Sequence, residues 1–120
     1  PLPLHPVKRC RRGYNQSEYI AEGIAAQLGV EVDRRSVRRK RNTESQALKA
    51  RRDRARNVED AFAVGRPGRL AGRHVLLVDD VFTTGSTMLS CAGEILRSAP
   101  GCRISIAALA VSRHALGEKG

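Results

Sequence analysis

The run His74-Val-Leu-Leu-Val78 constrains the fold of this chain more than any other segment. Gly72 precedes it and the acid pair Asp79-Asp80 follows it, so the run has a defined beginning and end. Unbroken aliphatic runs of this length, in place of alternating apolar and polar residues, are typical of strands buried on both faces of a parallel sheet. The sequence therefore predicts a central parallel strand over 74–78.

The segments that follow this strand complete a βαβ unit. A turn over 81–85 leads into an amphipathic helix over 86–98, which Pro100-Gly101 ends. The apolar side of this helix is predicted to comprise Leu89, Ala92, Ile95 and Leu96. Segment 104–111 has the composition of a second strand. We therefore predict the α/β class, with a mainly parallel sheet flanked by helices.

Shorter elements are predicted on the N-terminal side. Asn15 or Ser17 can cap a helix that stops at Gly29. The remaining short segments are predicted to be two strands and a Gly/Pro loop, at 36–39, 61–64 and 65–72. The chain has 120 residues, 41% of them hydrophobic, which suffices for a core. A single domain over 1–120 is expected.

The formal net charge is +10, from 22 basic and 12 acidic residues. Most of the basic residues lie in 1–12 and 34–56, which favours a polyanionic ligand: nucleic acid, a phosphorylated metabolite or an anionic surface. A solvated surface explains such a run equally well. An aromatic content of 3% argues against a base-stacking platform. The three scattered cysteines are predicted to be reduced thiols of a cytoplasmic protein.

The string Val75-Leu-Leu-Val-Asp-Asp-Val-Phe-Thr-Thr-Gly-Ser-Thr87 carries the chemistry. Its strand delivers two carboxylates at the carboxyl end of the sheet, where open α/β sheets bind ligands. A hydroxyl-rich loop around Gly85 follows and opens a helix, an arrangement that suits a phosphate. No lysine lies in the loop and no Gly-x-Gly-x-x-Gly is present, which excludes a P-loop and a dinucleotide-binding loop. We predict a sugar-phosphate site in which Asp79 and Asp80 meet ribose hydroxyls and Mg²⁺.

Other interpretations of these residues stay open at this point. The acid pair is also compatible with a helix-capping turn or with a different acidic Mg²⁺ pocket, such as that of a receiver-like phosphoaspartate domain. In a receiver-like domain the Thr-Thr-Gly-Ser-Thr loop has no role. Similarly, Asn15-Gln16-Ser17-Glu18 either orients a loop that binds a phosphorylated ligand or is an ordinary N-cap.

The thirteen-residue string resembles the phosphoribosyl diphosphate (PRPP) binding signature of type I phosphoribosyltransferases. Further stretches are similar to the ComF (competence protein F, GntX-like) family: Pro3-Leu-His-Pro6, Arg12-Gly-Tyr-Asn-Gln-Ser-Glu18, Thr43 with Gln46, Arg54 with Asn57, and Ala61-Phe62. The resemblance covers about residues 1–112. It implies the Rossmann-like type I phosphoribosyltransferase fold and a reaction in which a nucleophile displaces diphosphate from PRPP.

The resemblance also implies a role for each matching residue. The ribose 5-phosphate would be bound by Thr83, Thr84, Gly85, Ser86 and Thr87. The ribose hydroxyls and the Mg²⁺ shell would be contacted by the catalytic pair Asp79 and Asp80. The diphosphate loop would contain Lys8, Arg9, Arg12 and Gly13. A mobile lid over about 40–57 would include Lys40, Arg41, Gln46 and Arg54.

The sequence departs from the family pattern in three places. No Cys-x-x-Cys of the family's N-terminal zinc module is present, and the first strand is reduced to at most residues 1–4, so we expect a missing or truncated N-terminal region. In the lid, Gln46-Ala-Leu-Lys49 stands where the family usually has Gln-Ser-Gly-Leu. No hood for a particular base is recognisable, which leaves the acceptor unassigned.

Two functions are therefore carried forward from the sequence. The first is a ComF-like phosphoribosyltransferase that serves DNA uptake. The second is a non-catalytic module on the same fold, which senses PRPP or associates with DNA through the basic segment 34–56. A homodimer is a further expectation at the level of the family.

Overall fold

The computed structural model describes residues 1–3, 15–40 and 61–113. In chain order its elements are helix α1 (Gln16–Leu28), strands β1 (Val37–Arg39) and β2 (Phe62–Val64), helix α2 (Pro67–Leu70), strand β3 (His74–Phe82), helix α3 (Ser86–Ser98) and strand β4 (Arg103–Val111). The charged segment 49–57, whose composition favours a helix, lies outside the described residues.

Strands β3 and β4 pair in parallel, and helix α3 forms the crossover connection between them. Their register sets His74 opposite Arg103 and Phe82 opposite Val111. Strands β1 and β2 form a separate antiparallel pair, in which Arg39 lies opposite Phe62. Helix α1 lies against β3, and α3 lies against β2, β3 and β4. The predicted α/β class and βαβ unit are confirmed.

Helix α1 begins and ends as its sequence predicts. The Asn15 side chain accepts a hydrogen bond from the Ser17 N–H at 3.0 Å and caps the first turn. At the other end Gly29 adopts φ +68°, a left-handed conformation that ends helices.

The core is mainly aliphatic, includes the fully buried ring of Phe62 and centres on α3. This helix buries Met88, Cys91, Ala92 and Ile95. The predicted apolar side was wrong for Leu89 and Leu96, which are 62% and 50% exposed. The reason is that the buried stripe follows i, i+3, i+4 and i+7 from Met88 and is rotated by about one residue. Burial raises the pKa of the Cys91 thiol to about 12, since Cys91 is a small, fully buried core residue.

Two boundaries differ from the sequence prediction. Strand β3 continues through Asp79 and Asp80 to Phe82, because its pairing with β4 extends that far, and only Thr83 to Gly85 turns. The predicted Gly/Pro loop at 65–72 contains a single helical turn, α2, with Pro67 in its first turn. Proline suits that position because its missing N–H has no partner there in any case. Among the residues that the structure describes, no helix has the length and apolar character needed to cross a membrane.

Candidate functional site

A cavity of about 260 Å³ lies at the carboxyl end of β3. It brings together residues from the N-terminal segment, the first turn of α1, the end of β1, and the turn from β3 into α3. The residues that line it are Leu2, Pro3, Asn15, Gln16, Ser17, Arg39, Asp79, Asp80, Val81, Phe82, Thr83, Gly85, Thr87 and Met88. Five of the seven residues predicted from the central motif therefore line one cavity.

Asp79 is held in place by two donors. The Ser17 hydroxyl donates to Asp79 Oδ1 at 3.0 Å, and the Asp80 N–H donates to the same oxygen at 2.8 Å. Burial raises the pKa of the Asp79 carboxyl, and the neighbouring Asp80 charge adds to that rise, while the two donors oppose it. The carboxylate is thus a partly desolvated acceptor in a fixed orientation.

Asp80 lies next to it in the strand. Its Oδ1 accepts from the Val81 N–H at 2.8 Å. Both carboxylates line the cavity, where they can accept from hydroxyl donors or contact a cation.

The turn after β3 requires glycine at its end. Gly85 has φ +84°, and a Cβ atom built on it would lie 2.7 Å from Cζ of Phe82. A side chain at this position would meet both an unfavourable backbone conformation and the Phe82 ring. Phe82 packs against the core, so its ring is held in place under the turn.

Hydroxyls of the turn bond to one another, and main-chain carbonyls at its start accept from Ser112, the residue after β4. Thr84 Oγ1 and Ser86 Oγ are 2.7 Å apart, and the Ser86 N–H donates to Thr84 Oγ1 at 3.3 Å. Ser112 donates through its N–H to the Phe82 carbonyl at 2.9 Å and through its hydroxyl to the Thr83 carbonyl at 3.3 Å. These bonds hold the turn at the mouth of the cavity.

The turn opens directly into α3. Gly85 is the N-cap residue and supplies no side-chain hydrogen bond. The first N–H groups of a helix have no intrahelical partner and carry the positive end of the helix dipole. An anion at this turn would meet those N–H groups together with the hydroxyls of Thr84, Ser86 and Thr87.

Sequence reasoning missed one cation of the site. Arg39, at the end of β1, lines the cavity, and its guanidinium lies 5.3 Å from the centre of the Phe62 ring on the paired strand. Such a stack restrains the guanidinium while leaving its N–H groups available. In the sequence Arg39 was one of many basic residues, and only the pairing of β1 with β2 distinguishes it.

The structure confirms that Asn15 is the N-cap of α1, and the loop at 8–13 that the 15–18 segment would orient lies outside the described residues. Asn15 is an N-cap and also donates from Nδ2 to the Leu2 carbonyl at 3.0 Å. Ser17 reaches Asp79. The segment therefore ties residues 1–3, α1 and the acid pair together.

The remaining predicted residues are divided between the described and undescribed parts of the chain. Lys40 follows β1, and its N–H donates to the Ala61 carbonyl at 2.9 Å. The other lid residues (Arg41, Gln46, Arg54) and the diphosphate-loop residues (Lys8, Arg9, Arg12, Gly13) lie outside the described residues.

The residues of the cavity suit Mg²⁺ only in part. Residues 1–3, 15–40 and 61–113 hold no group of three or more His, Cys, Asp or Glu side chains that could bind a metal ion. Mg²⁺ sites in phosphoryl-substrate enzymes use one or two carboxylates and complete the shell with water and substrate phosphate. The two adjacent carboxylates fit that kind of shared site.

Comparison with known proteins agrees with this geometry. The model of the phosphoribosyl transferase domain family matches residues 15–119, and the chain belongs to that family. Within it, the chain is a ComF-like protein. No solved structure matches it significantly.

Curated relatives define the ComF-like group. The chain is 38% identical over 97 residues to the DNA utilization protein YhgH of Escherichia coli K12, a match that covers 81% of this chain and 42% of that protein. It is equally similar to YhgH of Salmonella typhi over the same shares. Competence protein F of Haemophilus influenzae is 35% identical over 89 residues, covering 73% of this chain and 39% of that protein. The chain thus spans about two fifths of the length of these relatives.

Proposed function

We propose that this domain binds PRPP together with Mg²⁺ in the cavity at the end of β3, and that an unidentified nucleophile there displaces the diphosphate. The observation that carries the proposal is the position of Asp79, Asp80 and the Gly85 turn around one cavity. Carboxylates suit the vicinal hydroxyls of a ribose, and a helix N-terminus with hydroxyls suits its 5-phosphate.

The close succession of the two halves of the site along the chain supports a ligand of this kind. The acid pair belongs to β3, and the turn begins directly after Phe82, so a phosphate on one carbon of a sugar and hydroxyls on others can meet both at once. Because the carboxylates lie beside the sugar ring, they would also stabilise positive charge that develops on the reacting carbon. Mg²⁺, when bound, would neutralise charge on the leaving diphosphate.

Arg39 supports the same orientation of the ligand. It is the only Lys or Arg among the described residues that line the cavity, and it comes from the end of β1, whereas the Gly85 turn follows β3. A diphosphate needs such a cation, whereas the neutral turn suits a monoester. We assign Arg39 to the diphosphate end of the ligand, the role that the family resemblance also gives to the loop at 8–13.

The first experiment is a calorimetric titration with PRPP at several Mg²⁺ concentrations. The unsubstituted chain should bind PRPP only with Mg²⁺, and the double variant Asp79→Asn with Asp80→Asn should lose that binding. Glu31→Gln, which removes a carboxylate outside the cavity, is the matched control and should bind normally. Intact PRPP binding by the double variant would overturn the site assignment.

Turnover is tested separately from binding. Purines, pyrimidines and amines are screened with PRPP and Mg²⁺, and released diphosphate is measured. Release that requires one acceptor and disappears in the double variant supports the transferase. Binding without release for any acceptor favours the alternative, a non-catalytic PRPP-sensing module on the same fold.

A DNA-associated role is a second candidate, favoured by the basic segment 34–56 and by the names of the relatives, which refer to DNA utilization and competence. Part of that charge is neutralised within the fold, since Arg34 pairs with Glu22 and lies 3.9 Å from Glu18. DNA binding should weaken steeply with salt and be lost when Arg51, Arg52 and Arg54 become Gln. The matched control replaces Arg66, Arg69 and Arg73, and equal loss in both triple variants would refute a specific DNA-binding segment.

A further inference from the structure

The carboxyl end of β4 lies beside the candidate site, although no residue of β4 lines the cavity. In the register of the two strands, Asp79 lies opposite Ala108 and Phe82 lies opposite Val111, so the last residues of β4 run alongside the acid pair. Ser112, directly after β4, bonds to the start of the turn. The end of β4 is therefore held next to the residues proposed to bind the ribose and its phosphate.

Three consecutive apolar residues at this end of β4 are exposed. Leu109 is 74% exposed and Val111 is 49% exposed, and Ala110 between them is exposed as well. On the neighbouring strand, Val81 lines the cavity and is 43% exposed. Ligand sites are lined mainly by apolar side chains, with a few polar groups that fix the orientation of the ligand. These residues therefore offer a non-polar ligand a contact next to the proposed ribose site.

A cation follows the apolar residues. Arg113 comes directly after Ser112 and is exposed. No acid of the described residues forms an ion pair with it. An arginine guanidinium can bind a carboxylate through two parallel N–H···O hydrogen bonds. The polar group at this end of β4 thus suits a ligand that carries a carboxylate.

The direction of the proposed reaction favours the same side of β3. Arg39, assigned to the diphosphate end of the ligand, lines the cavity together with Leu2. The Leu2 N–H donates to the Val78 carbonyl, whereas β4 pairs with the other edge of β3, so Leu2 and β4 lie on opposite edges of that strand. A nucleophile that displaces a leaving group from a sugar carbon approaches from the opposite face of the ring. The acceptor is therefore expected on the β4 side.

The side chains of the cavity also limit the kind of nucleophile. Among the described residues that line it, Asp79 and Asp80 are the only side chains that could accept a proton, and the proposed function uses both for the ribose and Mg²⁺. A hydroxyl nucleophile needs an adjacent base to become reactive. A neutral nitrogen carries a lone pair that can attack without one.

We propose that the carboxyl end of β4 binds the acceptor of the proposed transferase, and that this acceptor is a flat, apolar nitrogen nucleophile that carries a carboxylate. The acceptor surface comprises Val81, Leu109, Ala110, Val111 and Arg113. In this role, which rests on the proposed function, the nitrogen lone pair forms a bond to the anomeric carbon of PRPP while the bond from that carbon to the diphosphate breaks. The electron pair of the broken bond leaves with the diphosphate, and the proton that the nitrogen loses passes to water.

The test uses 2-aminobenzoate and its uncharged analogue 2-aminobenzamide as probes. Each probe is titrated into the chain with ribose 5-phosphate, diphosphate and Mg²⁺ present, and changes in the amide signals of nuclear magnetic resonance spectra locate its site. We expect 2-aminobenzoate to bind about tenfold more tightly than 2-aminobenzamide and to shift the amide signals of Val81, Leu109 and Ser112. Equal affinity for the two probes, or no shift of these three signals, would overturn the proposal.

Substitution of Arg113 separates the carboxylate contact from a general effect of charge. Arg113→Gln should weaken binding of 2-aminobenzoate about tenfold and leave the affinity for 2-aminobenzamide unchanged. Arg113→Lys keeps the charge but not the paired N–H groups, so its affinity for 2-aminobenzoate should be intermediate. Arg103→Gln is the matched control, because Arg103 is exposed at the opposite end of β4. Equal loss of 2-aminobenzoate binding in Arg113→Gln and Arg103→Gln would contradict the proposal.

A PRPP titration of the same chain distinguishes failure of the acceptor surface from failure of the proposed function. A chain that binds PRPP with Mg²⁺ but shows none of the probe shifts would overturn the acceptor surface alone. Probe binding at β4 by a chain that does not bind PRPP would refute the transferase, and with it the role of this surface as an acceptor site.

Discussion

The Ser17 hydroxyl donates to Asp79 Oδ1 over 3.0 Å and joins the first turn of α1 to the end of β3 across 62 positions of the sequence. Ser17 is buried and makes two separate hydrogen bonds. Its N–H donates to the Asn15 cap, and its hydroxyl donates to the Asp79 carboxylate. Hydrogen bonds through Ser17 therefore connect the N-cap of α1 to Asp79 of the candidate site.

Ser17→Ala should weaken Mg²⁺-dependent PRPP binding by about two- to tenfold, because a hydrogen bond of this kind contributes roughly 0.5–1.5 kcal/mol. The dissociation constant from calorimetry is the measurement. Ser105→Ala, which removes a hydroxyl bonded to His74 far from the cavity, is the control and should bind normally. The same affinity in Ser17→Ala as in the unsubstituted chain would show that Asp79 is oriented by other contacts.

Gly85→Ala should lower the free energy of unfolding by about 1–3 kcal/mol, because alanine is strained at positive φ and its Cβ would collide with Phe82. Urea denaturation measures the change. Gly93→Ala in α3 is the matched control, since a Cβ there meets nothing within 4 Å and alanine favours helix. Gly93→Ala should stabilise the fold, and a similar loss in both variants would contradict the role given to the Gly85 turn.

The sequence predicted the elements whose signals are local. The aliphatic run of β3, the Asn15 cap and the hydroxyl-rich turn each lie within a few neighbouring residues, and the structure contains all three. The side of α3 that is buried was less predictable, because Leu89 and Leu96 are as apolar as Ile95. Only the position of the sheet decides which of them is covered.

Contacts between distant segments could not be predicted in the same way. Arg39 is one of several arginines in its neighbourhood, and its place in the cavity depends on the pairing of β1 with β2. Likewise, Ser17 carries no signal that it reaches Asp79. Both residues acquire their roles from tertiary structure, which single-residue patterns do not record.

Arg39→Gln should weaken binding of PRPP and of free diphosphate by about tenfold, since a hydrogen bond to a charged group contributes roughly 1.5 kcal/mol or more. Ribose 5-phosphate, which lacks the diphosphate, should bind both proteins similarly. Arg38→Gln is the matched control, because Arg38 is the preceding residue on β1 and is exposed. An equal effect of both substitutions would indicate a general influence of charge and would contradict the assignment of Arg39 to the diphosphate.

Asp33 provides a prediction about pH that is independent of the candidate site. Burial would raise the pKa of its carboxyl, but hydrogen bonds from the Ser36 hydroxyl, the Ser36 N–H at 2.8 Å and the Arg35 N–H at 3.0 Å outweigh burial and lower it. A folded-state pKa below the unfolded one stabilises the protein above the unfolded value, about 3.9 for Asp. That contribution is lost as the pH falls through the folded-state pKa.

The unsubstituted chain should therefore exceed Asp33→Asn in thermal midpoint at pH 6, and the difference should shrink as the pH is lowered below about 4. Ser36→Ala removes one of the donors that lower the pKa, so the effect of Asp33→Asn should be smaller in that background. Midpoints measured between pH 7 and pH 2.5 in all four proteins close a double-mutant cycle. A difference that stayed constant across this range would mean that Asp33 acts through its shape and not through its charge, because protonation would then leave its contribution unchanged.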